Sequence, residues 1–229
     1  MLELVNVFKS YGAIKQRQVV LENVCWSFEL GHFTVLLGKS GAGKSTVLNL
    51  LSGLDQPDSG SVIYDNIDIY SRTDASLSNI RKEKFGFIFQ SFNLISSLTA
   101  YENIEYPLYL LGENSISRKE KTIKILKELE IADFADSLPS QLSGGQRQRV
   151  AIGRALVKSP NIIFADEPTA NLDEKTGEEI VLLLQKLQKQ TGTTIVYVTH
   201  DLDILKKADK SLYLTNRKIE LYDRAHHSN

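Results

Sequence analysis

Between Gly38 and Thr46 the chain reads GKSGAGKST, the pattern G-x-x-x-x-G-K-S. Residue types at this spacing can hold a phosphate group. Backbone N–H groups wrap an anion closely only where no side chain intervenes, and Gly38, Gly41 and Gly43 leave that space open, with Ser40 and Ala42 completing the loop. Lys44 supplies a cation for β- and γ-phosphates, Ser45 a hydroxyl for Mg²⁺, and Thr46 a second hydroxyl one step further on. A helix starting at Lys44 adds the partial positive charge of its N-terminus. The competing reading is an ordinary glycine-rich turn. It is weakened by context, because the motif needs a strand before it and a helix after it, and the apolar run Phe33–Leu37 and a helical pattern from Lys44 to about Ser52 supply both.

Hydrolysis would need further groups. The apolar run Ile162–Ala165 ends in Asp166 and Glu167. Adjacent carboxylates at the end of a buried strand are costly without a cation nearby. Asp166 would hold Mg²⁺ through water, and Glu167 would polarise an attacking water; the alternative is a solvated strand end. His200 follows a second apolar run, Ile195–Val198, where a strand end faces the ligand crevice of a parallel sheet. That position suits a sensor of the γ-phosphate, and Asp201 beside it suits a helix cap. Gln90 closes a third run, Phe85–Phe89, and its amide could reach Mg²⁺ or the attacking water. The candidate catalytic groups are therefore Glu167, His200, Gln90 and Lys44, and the candidate metal ligands are Ser45, Gln90 and Asp166.

A second helix start also faces an anion by its chemistry. In LSGGQ, Leu142 to Gln146, Ser143 and Gln146 have capping-box spacing, while Gly144 and Gly145 leave the backbone N–H groups accessible. One nucleotide rarely needs two helix N-termini from one chain. A dimer would use both, with Ser143, Gly144, Gly145 and Gln146 of one copy completing the pocket of the other.

These groups need a scaffold, and the rest of the sequence supplies one. Fully apolar runs such as Ile162–Ala165 and Ile195–Val198 suit strands of a parallel sheet. Between them Ile180, Leu183, Leu184 and Leu187 recur at helical spacing, which predicts a β-α-β unit. Shorter β-rich runs, Leu2–Val7, Val19–Phe28 and Ser61–Tyr64, fill the first third, and from Ser91 to about Lys158 the pattern is helical. The 229 residues carry a formal net charge of -1, which leaves no electrostatic footprint for nucleic acid. Cys25 is the one cysteine, so an internal disulfide is excluded, and it is expected to be a small buried residue. No run approaches the ~18 apolar residues of a membrane span, and the first residues lack a signal-peptide pattern. A cytoplasmic protein is expected, with any membrane span supplied by another chain. The terminal His226 and His227 are read as a frayed end.

Over essentially its whole length the sequence resembles the ATP-binding subunits of ABC transporters. The resemblance rests on GKSGAGKST, Gln90, LSGGQ at 142–146, IIFADE at 162–167, NLD at 171–173 and His200, in that order. It implies an α/β P-loop NTPase with a RecA-like core and antiparallel β-subdomain (1–90 and 159–229) and an inserted helical subdomain (91–158). It also implies that two copies sandwich two ATP molecules with Mg²⁺, that Ser143, Gly144 and Gly145 contact the γ-phosphate held by the other copy, and that Tyr11 stacks on adenine. FGFIFQSFNLISSLTAYENIEYPL (85–108) and ADEPTANLD (165–173) look like the lipoprotein-releasing and macrolide-export group, which also includes a cell-division ATPase that signals to cell-wall hydrolases without transport. The partner implied is an integral membrane permease that would hold the chain at the inner face of the membrane. Residues 92–111 are the candidate dock, although Leu94, Leu98, Ile104 and Leu108 could equally fill a core. Two departures stand out: Lys39 where proline is commoner, and Gly153 where alanine is commoner, at a helix-propensity cost of ~1 kcal/mol.

Overall fold

A computed structural model describes residues 1–13 and 16–223; the tail histidines lie outside the described residues. In chain order the elements are β1 (Leu2–Tyr11), β2 (Gln18–Phe28), β3 (Phe33–Leu37), α1 (Lys44–Leu51), β4 (Ser59–Tyr64), β5 (Ile67–Asp68), α2 (Asp74–Lys84), β6 (Phe85–Phe89), α3 (Ala100–Leu110), α4 (Ser115–Glu128), α5 (Gly144–Leu156), β7 (Ile162–Asp166), α6 (Glu174–Thr191), β8 (Thr194–Thr199), β9 (Lys210–Thr215) and β10 (Lys218–Leu221). The chain divides into two compact units, one made of residues 1–78 with the chain from 194 onward, the other of residues 79–193.

The first unit holds two sheet segments. β2, β1, β4 and β5 pair antiparallel in that order, and the tight β4–β5 turn uses Asp65 and Asn66, both in the left-handed region at φ 52° and 62°. In the other segment β3 pairs in parallel with both β8 and β9, and β10 returns antiparallel to β9 through Asn216 and Arg217, again both left-handed. Every residue of β3 and of β8 is buried, which explains why both runs read as continuously apolar rather than alternating. Cys25 departs from expectation. It is exposed, and its thiol sits in a small polar contact with Asn6, accepting from the backbone N–H at 3.2 Å and donating to Oδ1 at 3.1 Å. Alternation along β2 turns Cys25 outward while Val24 is buried, so strand parity overrode the residue's usual preference.

In the second unit β6 and β7 are parallel, with the Phe164 ring in contact with those of both Phe85 and Phe87. The predicted helical stretch resolves into α3, α4 and α5, which pack on one another. Ile104 and Leu108 are fully buried, whereas Leu94 and Leu98 are only half-buried. Along α6 the buried stripe is Ile180, Val181, Leu184 and Leu187; Leu183 is turned partly outward. Gly153 has a packing reason. A Cβ there would lie 2.8 Å from Leu129 Cδ1, 2.9 Å from Ile104 Cδ1 and 3.0 Å from Ile125 Cγ2, so the missing methyl lets α3 and α4 approach the helix closely. Among the described residues no helix is long and apolar enough to cross a membrane.

Candidate nucleotide-binding site

Each unit gathers part of the predicted set at the C-terminal ends of parallel strands, where open α/β sheets bind ligands. In the first unit Leu37 of β3 is in register with Thr199 of β8. The Gly38 loop and His200 therefore leave neighbouring strands side by side, and His200 is exposed there. In the second unit Phe89 of β6 is in register with Asp166 of β7, so Gln90 and Glu167 leave neighbouring strands in the same way. The sequence sets each of these groups at the end of an apolar run, without saying which runs are neighbours.

The loop is built for an anion. Gly41 and Gly43 have φ of 77° and 103°, backbone that side-chain-bearing residues rarely adopt, and the loop turns on an Ala42 N–H to Lys39 carbonyl bond of 3.1 Å. Around Gly41 nothing lies within 4 Å of where a Cβ would be, so its surface is open to a ligand. No side chain caps α1, and its first turn carries no acid. Lys44 is buried, its ammonium inside the loop and donating to the carbonyls of Gly38 at 2.8 Å and Lys39 at 3.3 Å. Ser45 is exposed and Thr46 half-buried. A cation, hydroxyls and the backbone N–H groups of a glycine loop form a donor set that fits phosphate oxygens.

Tyr11 ends β1 and is 42 % exposed. Its hydroxyl donates to Asp55 Oδ2 at 2.6 Å and reaches Thr46 Oγ1 at 3.5 Å, while the Lys9 ammonium lies 4.9 Å from the ring centroid and pairs with Asp55 Oδ1 at 2.7 Å. Desolvation, then the bond to Asp55, pushes the Tyr11 phenol up; for Asp55 desolvation opposes ionisation, but the bonds from Lys9 and Tyr11 prevail and hold the carboxyl below its usual range. Asp55 was not legible as a site residue, because it carries no motif and acts through a contact with a strand far away in sequence.

In the second unit Asp166 and Glu167 are half-buried, and Glu167 stands at φ 45°. A non-glycine residue held left-handed is a strained position of the kind that clusters at functional sites. Gln90 is exposed, and Asn171 holds it twice, donating to the Gln90 carbonyl at 3.0 Å and accepting from its side-chain amide at 3.5 Å. Ser143 and Gln146 form the full capping box, Ser143 Oγ accepting from Gln146 N at 3.2 Å and Gln146 Oε1 from Ser143 N at 2.8 Å. Gly145 also serves packing, since a Cβ there would lie 2.7 Å from Thr176 Cγ2. Asp173 of the NLD motif caps α6 through Thr176 N at 3.0 Å, and Asp201 accepts from Asp203 N at 2.9 Å at the start of a short 3₁₀ turn.

Metal binding follows from donor chemistry. In the first unit Ser45, and in the second Asp166 and Gln90, carry oxygen donors of the kind that suits a hard cation such as Mg²⁺. Among the described residues no group of three or more His, Cys, Asp or Glu side chains could hold a metal by itself. Mg²⁺ is commonly held by one or two protein oxygens together with substrate phosphates, so few donors from any one unit suffice.

Mixed α/β architecture, a glycine loop between strand and helix, and ligand groups at parallel strand ends define a P-loop NTPase. The family described as "ABC transporter" matches residues 21–170, and the chain belongs to that family. It is 45% identical over 224 residues to the ABC transporter ATP-binding protein MJ0796 of Methanocaldococcus jannaschii, covering 96% of this chain and 95% of that one. It is 41% identical over 219 residues to the macrolide export ATP-binding/permease protein MacB of Campylobacter jejuni, where the match covers 96% of this chain but only 33% of the relative. A dimeric structure of the MJ0796 cassette in a post-hydrolysis state, bound to ADP and Pi, superposes with a TM-score of 0.88 at 44% identity, over 96% of this chain and 97% of that one. CbiO1 of Clostridium perfringens, part of the cbiONQ transporter complex, superposes with a TM-score of 0.85 at 29% identity, over 96% and 86% of the two chains.

Proposed function

We propose that this chain is the ATP-binding and ATP-hydrolysing subunit of an ABC transporter complex, that it works as a homodimer on a separate membrane permease, and that it powers export or release of a lipoprotein- or lipid-type cargo. The observation that carries the reading is the pairing of strand ends, which puts the Gly38 loop beside His200 and Gln90 beside Glu167. In this reading the loop from Gly38 to Thr46 cradles the phosphates, Lys44 neutralises the β- and γ-phosphates, and Tyr11 stacks on adenine. Glu167 orients and polarises the attacking water, while His200 and Gln90 sense the γ-phosphate end. Mg²⁺, held by Ser45, Gln90 and, through water, Asp166, supplies charge neutralisation on the phosphate oxygens. Catalysis is then mostly positioning and electrostatics, as in phosphoryl transfer generally.

Ser143, Gly144, Gly145 and Gln146 complete the nucleotide pocket of a second copy, a reading supported by the dimeric state of the solved relative. The segments 1–90 and 159–229 would act as core and β-subdomain and 91–158 as the helical subdomain of one ABC ATPase domain. Export is supported by the likeness to MacB, whose name joins ATP-binding and permease functions in one protein. Here the permease would be another chain, holding this one at the cytoplasmic face. Its dock would be the groove lined by Phe87, Phe89, Pro107, Leu110, Arg154 and Lys158.

Phosphate release from Mg-ATP by the wild type and by Glu167→Gln tests the assignment. The variant is expected to bind ATP normally and to lose about 10²–10⁴-fold in turnover, the range for a general base. Turnover equal to wild type removes Glu167 from the mechanism. For the partner, the chain is captured from native membranes in mild detergent. A co-purifying protein with four membrane helices and a large extracytoplasmic domain supports export or release, and one with a solute-binding protein moves the reading to import.

A further inference from the structure

Directly after Gln90 the backbone takes an unusual course. Phe92 and Asn93 are consecutive and both left-handed, at φ 60° and 48°. Asparagine tolerates that conformation, but a phenylalanine holds it only where its surroundings over-determine it. The surroundings here come from α5. Arg154, in its last turn, donates through Nη2 to the Phe92 carbonyl at 2.8 Å and through Nη1 to the Asn93 carbonyl. Arg147, two turns earlier on α5, places its guanidinium 5.0 Å from the centroid of the buried Phe92 ring. The turn is closed internally by Phe92 N–H to the Phe89 carbonyl at 3.1 Å and Asn93 N–H to the Ser91 carbonyl at 2.6 Å. On its other side Asn171 holds Gln90 itself.

We propose that Arg154 is a positioning residue for the hydrolysis reaction, its two-pronged grip on the Phe92 and Asn93 carbonyls fixing the turn that aims the Gln90 amide. A planar fork with two donors can bridge successive carbonyls, which a single ammonium does less well. Because Arg154 stands on the helix that LSGGQ begins, the grip ties the Gln90 loop to the element that would contact the other copy's nucleotide. Arg154 also lines the groove offered to the permease, so a segment seated there would meet the group that holds the Gln90 loop. This inference rests on the ATPase reading above.

The test is a double-mutant cycle with Gln90→Ala, supplemented by amide hydrogen exchange without nucleotide. Arg154→Met keeps most of the side-chain length and removes both donors. Its kcat is expected to fall on the order of tenfold, within what a slightly misplaced catalytic group costs, with KM for ATP within about twofold of wild type. In the Gln90→Ala background the same substitution is expected to change kcat by less than about twofold, because the group it aims is already gone. Exchange at the Phe92 and Asn93 amides is expected to accelerate in Arg154→Met while α6 stays protected. Arg154→Lys, with a single ammonium, is expected to recover part of the loss, and it carries the same cycle if the methionine variant does not fold. Equal fold-losses in both backgrounds, or unchanged exchange at Phe92 and Asn93, overturn the positioning role while leaving the ATPase reading standing. A wild-type chain that releases no phosphate overturns both.

Discussion

Glu167 offers a way to separate the cost of a site from its use. Its φ of 45° lies in the left-handed region, and its carbonyl accepts the Ala170 N–H at 3.1 Å, so the turn after β7 is fixed by backbone bonding. Glu167→Ala and Glu167→Gly both delete the carboxylate and every contact it makes, so those losses cancel in the comparison of the two. What remains is backbone. Alanine held left-handed costs about 1–2 kcal/mol, glycine escapes that cost but gives back roughly 0.4–1 kcal/mol of extra unfolded-chain freedom, and the glycine variant should be the more stable by about 0.5–1 kcal/mol. For a chain of this size that is a midpoint higher by roughly 1–4 °C. Urea melts of the two variants read the difference, and phosphate release should be lost in both. An alanine variant as stable as the glycine variant would refute the view that this position carries backbone strain in the service of the carboxylate.

Two further predictions concern the loop and a carboxylate bonded to β1. Gly43→Ala must place a Cβ 2.5 Å from Val20 Cγ1 at a φ of 103°, outside any well for an L-residue, so it should destabilise by about 2–5 kcal/mol and abolish nucleotide binding; a loss under about 1 kcal/mol in urea melts would contradict the geometry. Asp58 accepts from the Ser10 hydroxyl at 2.6 Å, from Ser10 N at 2.9 Å and from Arg17 at 2.8 Å, and chiefly the Ser10 hydroxyl holds its carboxyl below the usual range against some desolvation. A folded-state pKa below the unfolded value stabilises above the unfolded pKa and fades as pH falls through the folded one, so the advantage of wild type over Asp58→Asn should be full near pH 6 and shrink below about pH 5. A difference that does not change with pH would remove the carboxylate from the account.

Much of this was legible because function imposes unusual residues on a repetitive scaffold. β3, β7 and β8 read as apolar runs since nearly all their residues are buried, β6 as one because even its half-buried positions are phenylalanines, and one step past the strands stand Gly38, Glu167, His200 and Gln90, residues whose chemistry breaks the apolar pattern. The elements that escaped reading lack such signals. α2 buries only Leu77, and with Ile80 and Ala75 as its only other apolar residues it shows too short a stripe to read as a period. The β9–β10 hairpin turns on Asn216–Arg217 rather than on asparagine–glycine, and its strands are short. Tertiary partners were invisible for a different reason. The bonds from Arg154 to Phe92, from Asn171 to Gln90 and from Tyr11 to Asp55 join positions far apart in sequence, and no local pattern encodes them. Gly153 shows the converse, a residue whose local cost was readable but whose compensation, the close approach of Ile104, Ile125 and Leu129, was not.

The central claim is that two copies complete each nucleotide site, with LSGGQ of one facing the phosphate loop of the other. Light scattering on purified Glu167→Gln at saturating Mg-ATP addresses it most directly, because blocked hydrolysis should trap the closed pair. The account predicts twice the mass of the single chain with Mg-ATP and the mass of one chain without it. A single-chain mass under both conditions would contradict it.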